Sequence, residues 1–273
     1  MAAFSEQAVA EPASPAVCTL VLPTYNASAF IDRTVDRLAE FLQTHPDFLV
    51  LFVCDGCTDD TVERLERLRP RLGPRADVLA YTRNRGKGFA LRTGLSRCTT
   101  PYRIFTDVDL AYDPNDAPQL LRELQDGADL VVVNRASPQS TFLISPRDFS
   151  NIYKRHLMSR AYNAWLRLML PITILDTQAG FKGMTARAWD ALSPHLTADG
   201  FFFDTELLAV AGRLGMDVRE VPAHFRYLDP TTVKMVRAGW NMFWETLHLR
   251  RRLKSIPAAH PAAADVELPA PVT

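Results

Sequence analysis

Cysteine is scarce in this chain of 273 residues: Cys18, Cys54, Cys57 and Cys98 are too few and too scattered for a disulfide scaffold. Cys54-Asp55-Gly56-Cys57 has the C-x-x-C spacing of redox and zinc sites, but zinc needs a second ligand pair, and no convincing Cys/His pair stands elsewhere. An excess of one charge is also missing. Lys and Arg total 31 and Asp and Glu total 31, so the global charge does not favour wrapping nucleic acid, and no nucleic-acid partner is expected. No apolar run approaches the ~20 residues that a bilayer span needs. The best candidate, Ala164 to Leu175, is interrupted by Arg167 and Pro171. Residues 1–16 lack the basic start and apolar stretch of a secretory signal and read as a disordered leader rich in Ala, Pro, Ser and Glu. The expected setting is the cytoplasm, in solution or peripheral at the inner face of the membrane.

What is present is enough apolar content, 47%, to build a sizeable core, read here as one domain over residues 17–254 followed by an Ala/Pro-rich tail at 255–273. Strand-like runs at Val17–Leu22, Leu49–Cys54, Val78–Tyr81, Tyr102–Thr106 and Leu130–Val133 alternate with helical patterns. Those patterns are Phe30, Val35, Leu38, Phe41 and Leu42, then Val62, Leu65 and Leu68, then Ala90, Leu91 and Leu95. The alternation predicts a mostly parallel sheet covered by helices, with short crossovers. The second half is less regular. It predicts helices at about Asn151–Leu170, Thr185–Leu192 and Asp204–Leu214, a turn region at Asp176–Gly183, a strand at Val218–Tyr227 and a basic amphipathic helix from Thr232 to Lys254.

In open α/β sheets ligands bind beyond the carboxyl ends of the strands, so the residues after each run carry the chemistry. Pro23-Thr24-Tyr25-Asn26 follows the first run; proline is expected to stop the ladder, leaving Tyr25 either to stack on a nucleobase or to sit in an ordinary turn. Asp55-Gly56-Cys57-Thr58-Asp59 follows the second. Thr58 or Asp59 can cap the next helix, whereas Asp55 is placed to accept hydrogen bonds from a base or ribose. Asn84-Arg85-Gly86-Lys87-Gly88 precedes a helix start, where glycines admit a ligand and Lys87 favours phosphate. A dinucleotide fingerprint fails because its third glycine position is Leu91, and no P-loop sequence occurs. Thr106-Asp107-Val108-Asp109 ends the fourth run. Carboxylates two residues apart on an extended chain face one way, which suits a magnesium or manganese ion, although two solvated loop carboxylates would read the same.

The order of these motifs, with Asp176-Thr177-Gln178-Ala179-Gly180-Phe181-Lys182 and Phe202-Phe203-Asp204-Thr205-Glu206 further on, resembles family-2 glycosyltransferases of the GT-A fold. Within them it is similar to the polyprenol-phosphate sugar synthases, which include dolichyl-phosphate mannose and glucose synthases. The resemblance spans Val17 to Lys234 and implies a Rossmann-like central sheet, with a nucleotide-sugar half at about 17–134 and an acceptor half at about 135–254. It implies that Pro23, Tyr25, Asp55, Lys87, Asp107, Val108 and Asp109 hold a nucleotide-sugar donor, with Asp107 and Asp109 on the divalent cation. It places Arg135, Arg147, Arg155, Gln178 and Lys234 around a polyprenyl phosphate acceptor, and makes Asp109, Arg135 and Arg155 catalytic. The chain departs from the family pattern at Ala27, Cys54, Cys57 and Ala111, which bears on base selectivity and metal coordination.

Trp240, Phe243, Trp244 and Leu247 recur at helical spacing, flanked by Lys234, Arg237, Arg250, Arg251, Arg252 and Lys254. That pattern fits a helix lying in a membrane interface, and equally a terminal helix packing its aromatic face on the domain. Two rivals to lipid transfer stay open at this point: a soluble hydroxyl acceptor, with Asp204 or Glu206 as base, and a non-catalytic nucleotide-sugar binding protein.

Overall fold

A computed structural model describes residues 16–143, 162–226 and 235–258. Its main sheet has seven strands in the order β3-β2-β1-β4-β7-β5-β8. They are β1 (Cys18–Thr24), β2 (Phe48–Asp55), β3 (Ala76–Tyr81), β4 (Tyr102–Phe105), β5 (Leu130–Val133), β7 (Lys182–Thr185) and β8 (Val218–Val221). Helices α1 (Ile31–Thr44), α2 (Thr61–Leu68), α3 (Lys87–Arg97) and α4 (Ala117–Gln125) connect the first five strands. The helical stretch 162–169, α5, precedes β7; α6 (Ala186–Leu192) and α7 (Phe203–Arg213) follow it, and α8 (Met235–Arg252) closes the described chain. A second sheet pairs β6 (Thr141–Leu143) in parallel with β9 (His224–Arg226).

The uninterrupted apolar character of β1 and β2 follows from burial on both faces. Cys18, Leu20 and Leu22 enter one core with Ile31, Val35, Leu38 and Phe41 of α1. Val21, Leu51 and Val53 enter the opposite core with Ala90, Leu91 and Leu95 of α3. Pro23 does not end the strand as expected: β1 runs on to Thr24, pairing Pro23 with Val53 and Thr24 with Cys54. The reason is edge geometry. Val21 accepts from Thr106 on the β4 side, and Pro23, two residues on, turns its missing N–H to that same side, where the β4 ladder has already finished.

The expected turn at 176–183 ends inside a strand. β7 runs antiparallel between β4 and β5. Four residues, Lys-Gly-Met-Thr, with a charged and a flexible residue leading, carry little strand signal of their own. The single strand expected at 218–227 is two, β8 and β9, in different sheets. Among the described side chains of α8 the buried ones are Thr246 and Leu249, continued by Leu253 and Ile256, so Ile256 of the expected tail packs in the core. Phe243 and Trp244 are exposed, and Phe243 stacks on Trp165 of α5 with centroids 5.2 Å apart. The side chain of Trp240 lies outside the described residues. No helix among the described residues is long and apolar enough to cross a membrane.

Candidate active site

The carboxyl ends of β1, β2, β3 and β4 bring the first four motifs to one edge of the sheet. Tyr25, just past β1, is 49% exposed, and Asn26 after it has φ +46°. Asn26 Oδ1 accepts from Thr58 N at 2.8 Å, tying the first motif to the second. Asp59, not Thr58, serves the start of α2: its Oδ1 accepts from Thr61 N at 3.1 Å and its Oδ2 from Ser28 N at 3.2 Å. Asp55 is buried, and its two oxygens accept from Arg85 N and Gly86 N, each at 2.7 Å. Asp55 thus holds the loop ahead of α3, a relation that the sequence alone does not reveal.

The glycines of that loop make room for protein rather than for a ligand. A Cβ on Gly86, which has φ +104°, would stand 2.4 Å from Asp199 O, and one on Gly88 would stand 2.3 Å from Ala198 O. Phe89 N donates to Asp199 O at 3.1 Å, so the segment before α7 packs directly on the start of α3.

Asp107 to Leu110 form a tight turn, not the extended run expected. Leu110 has φ +50° and donates its N–H to Asp107 O at 3.0 Å. Helix α1 pins this turn: Thr34 Oγ1 donates to Val108 O at 2.8 Å and Arg37 to Leu110 O at 2.8 Å, while the Val108 side chain packs in the core. Asp109 Oδ1 accepts from Ala111 N at 3.0 Å. Asp107 Oδ1 receives the Lys87 ammonium at 2.7 Å. The same ammonium lies 3.6 Å from Asp204 Oδ2, and Asp204 Oδ1 is 2.5 Å from Lys182 Nζ. Burial pulls the Lys87 ammonium down, but Asp107 and then Asp204 outweigh it and hold it above the ordinary lysine range. Lys182, fully buried, is lowered by that burial in spite of Asp204. Sequence reasoning missed Lys182 as a partner for Asp204; its only local signal is a charged residue inside an otherwise buried segment.

These features suit a cation. Asp107 already pairs with an ammonium, and a Cβ at Gly180 would stand 2.2 Å from Asp107 Oδ2, so the glycine is what admits the carboxylate at this position. Among the described residues no group of three or more His, Cys, Asp or Glu could hold a metal ion by itself, so an ion on Asp107 and Asp109 would complete its shell with water or with phosphate oxygens.

Beside this cluster, at the end of β5, Arg135 grips Asp176 through Nε at 2.7 Å and a terminal guanidinium nitrogen at 2.9 Å. Burial raises the Asp176 carboxyl, yet Arg135 holds it below the usual carboxylate range. Tyr112 is buried among Arg135, Asp176 and Asp107, with burial as the main cause of its raised pKa. Gln178 turns its amide to Thr205 Oγ1 of α7 at 3.0 Å. Arg147, Arg155 and Lys234 lie outside the described residues.

With this geometry in place, likeness to known proteins is informative. The sequence model of Glycosyl transferase family 2 matches residues 19–188. The glycosyltransferase AglD of Haloferax volcanii is 31% identical over 80% of this chain, which spans only about a third, 34%, of that relative's length. The dolichyl-phosphate beta-glucosyltransferase of Drosophila melanogaster is 27% identical over 86% of this chain and 72% of its own. Among solved structures, glucosyl-3-phosphoglycerate synthase from Mycobacterium tuberculosis with bound UDP superposes with TM-score 0.62 at 22% identity, covering 88% of this chain and 81% of the other. That likeness establishes a shared fold, and the matched segment carries Tyr25, Asp55, Lys87, Asp107, Arg135 and Asp176. This chain belongs to glycosyl transferase family 2.

Proposed function

We propose that this chain is an inverting hexosyltransferase, moving sugar from a UDP-glucose or GDP-mannose type donor to a polyprenyl phosphate at a membrane surface. The observation that carries the reading is the commitment of the acids. A hydroxyl acceptor needs a general base, and both candidates are buried and engaged. Asp204 faces Lys87 and Lys182, and Glu206 accepts from Thr197 N at 2.9 Å and Ala198 N at 2.8 Å while pairing with Arg252. A phosphate monoester is already anionic at neutral pH and needs positioning and charge neutralisation instead. The dolichyl-phosphate relative supports the same acceptor class.

In this reading Tyr25 stacks on the donor base, with Pro23 setting its place, and Asp55 acts by fixing the 84–86 loop beneath it. Lys87 and the Asp107–Asp109 turn, including Val108, receive the diphosphate. A divalent cation, Mg2+ or Mn2+, on Asp107 and Asp109 would neutralise charge growing on the leaving group. Arg135 and Arg155 hold the acceptor phosphate, with Arg147, Gln178 and Lys234 around it. The exposed Phe243 and Trp244 of α8, with Trp240, meet the membrane, and Arg252 is withdrawn from that surface by its pairing with Glu206.

The test is release of nucleoside diphosphate from UDP-glucose and from GDP-mannose, with and without a short-chain polyprenyl phosphate. Lipid-dependent, EDTA-sensitive release that Asp109→Ala abolishes is the expected result. Release that depends on a sugar hydroxyl and ignores the lipid would overturn the acceptor assignment.

A further inference from the structure

Two acids and two bases, Asp107, Lys87, Asp204 and Lys182, form a continuous chain of charge running from the turn after β4 to the first turn of α7. Its members are unequal. Asp107 is 38% exposed on its side chain, whereas Lys87 is 13%, Asp204 5% and Lys182 0% exposed. The open end is thus a carboxylate and the closed end a lysine held by Asp204 and by the carbonyl of Ala179. Lys87 sits between two carboxylates at different distances, in contact with Asp107 at 2.7 Å and just short of Asp204 at 3.6 Å.

A divalent cation arriving on Asp107 meets an ammonium already there. Two positive centres cannot share one carboxylate at contact distance in a partly desolvated site without a large Coulomb penalty. The ammonium must leave, and only a carboxylate within about an ångström of its present reach can take it without stranding a buried charge. Asp204 Oδ2 answers that description: its other oxygen is anchored by Lys182, leaving Oδ2 turned toward Lys87.

We propose that Lys87 is a displaceable counter-ion of Asp107, that Asp204 is the seat it moves to when the cation binds, and that Lys182 positions Asp204 to receive it. The proposal rests on the reading of Asp107 and Asp109 as cation ligands. It makes Asp204 and Lys182 positioning residues, and it brings the moved ammonium no further from the donor diphosphate than Asp204 allows. No bond is made or broken; two ion pairs exchange partners.

The test is a double-mutant cycle read by isothermal titration calorimetry with Mn2+ alone, with no donor present. Lys87→Met removes the competitor and is expected to tighten Mn2+ binding by about tenfold. Asp204→Asn removes the seat and is expected to weaken Mn2+ binding several-fold in the wild-type background, but to have little effect once Lys87 is Met. Simple through-space attraction predicts something else: Asp204→Asn would weaken binding equally in both backgrounds, and that additivity would overturn the proposal. Equal Mn2+ affinity in wild type and Lys87→Met would also overturn it while leaving the cation reading intact. Should neither bind Mn2+, both fall together. Lys87→Met leaves the Lys182–Asp204 pair in place, so the first comparison stands even if Asp204→Asn folds poorly.

Discussion

Arg135 and Asp176 make three hydrogen bonds to one another: two from the guanidinium, at 2.7 and 2.9 Å, and a third from the Arg135 backbone amide at 3.1 Å. The pair joins the end of β5 to the segment leading into β7, 41 residues apart, so it is a structural clamp at the arginine proposed to hold the acceptor phosphate.

Arg135→Ala strips a buried carboxylate of its partner. Breaking a buried pair typically costs ~3–5 kcal/mol, and the 28% exposure of the Arg135 side chain puts the expected loss at or below the lower end of that range. Denaturant midpoints measure it. Adding Asp176→Asn should recover part of the stability but none of the lipid-dependent transfer, separating the clamp from the phosphate contact.

Acid should unfold this protein through the same groups. Asp176 and Asp204 both lie below the usual carboxylate range: burial opposes the shift in each, and it is outweighed by Arg135 for Asp176 and by Lys182, then Lys87, for Asp204. A folded pKa below the unfolded value contributes stability that is full above about pH 4 and is lost as pH falls through the folded value. Unfolding free energy measured down a pH series should fall below about pH 4, and less steeply in Asp176→Asn. A slope unchanged by that substitution would refute the assignment to Asp176.

Cys57 should be the thiol that reacts. A hydrogen bond from Cys54 lowers its pKa to about 7 against the effect of burial, whereas Cys18, Cys54 and Cys98 are buried and raised. Iodoacetamide labelling followed by peptide mass mapping should find one modified site with a midpoint near pH 7. Cys54→Ala should move that midpoint toward about 8.5. Equal labelling of all four would contradict it.

The face of α8 bearing Phe243 and Trp244, with exposed Arg250, Arg251 and Lys254 about two to three turns on, should bind anionic vesicles. At roughly 1 kcal/mol per basic residue near the surface, Arg250→Ala with Arg251→Ala should lower co-sedimentation with phosphatidylserine vesicles by about tenfold or more. Binding indifferent to these changes would reject this face.

Much of this was legible in the sequence because it is local. Strands β1 to β5 match apolar runs within two residues at either end, and α1 to α3 match the helical periodicity. The aromatic stripe of α8 fits two settings, and among the described side chains the buried ones, Thr246 and Leu249 with Leu253 just beyond the helix, lie one position round from it. What was not legible depends on partners far away in the chain. Gly86 and Gly88 look like ligand-binding glycines until Ala198 and Asp199 are seen against them. Asp204 and Glu206 look like solvated or catalytic acids on a helix until Lys182 and Arg252 supply their counter-charges. The antiparallel β7 is held by neighbours on both sides, not by its own four residues.

Asp204 and Glu206 stand two residues apart on α7, about 200° around its axis, so they leave the helix on opposite sides. One side is moored to the lysines beneath the turn after β4; the other is moored to the 197–198 amides and, through Arg252, to α8. A shaft held on both flanks can neither roll nor slide without breaking one mooring, which makes this end of α7 the datum from which the rest of the site is measured.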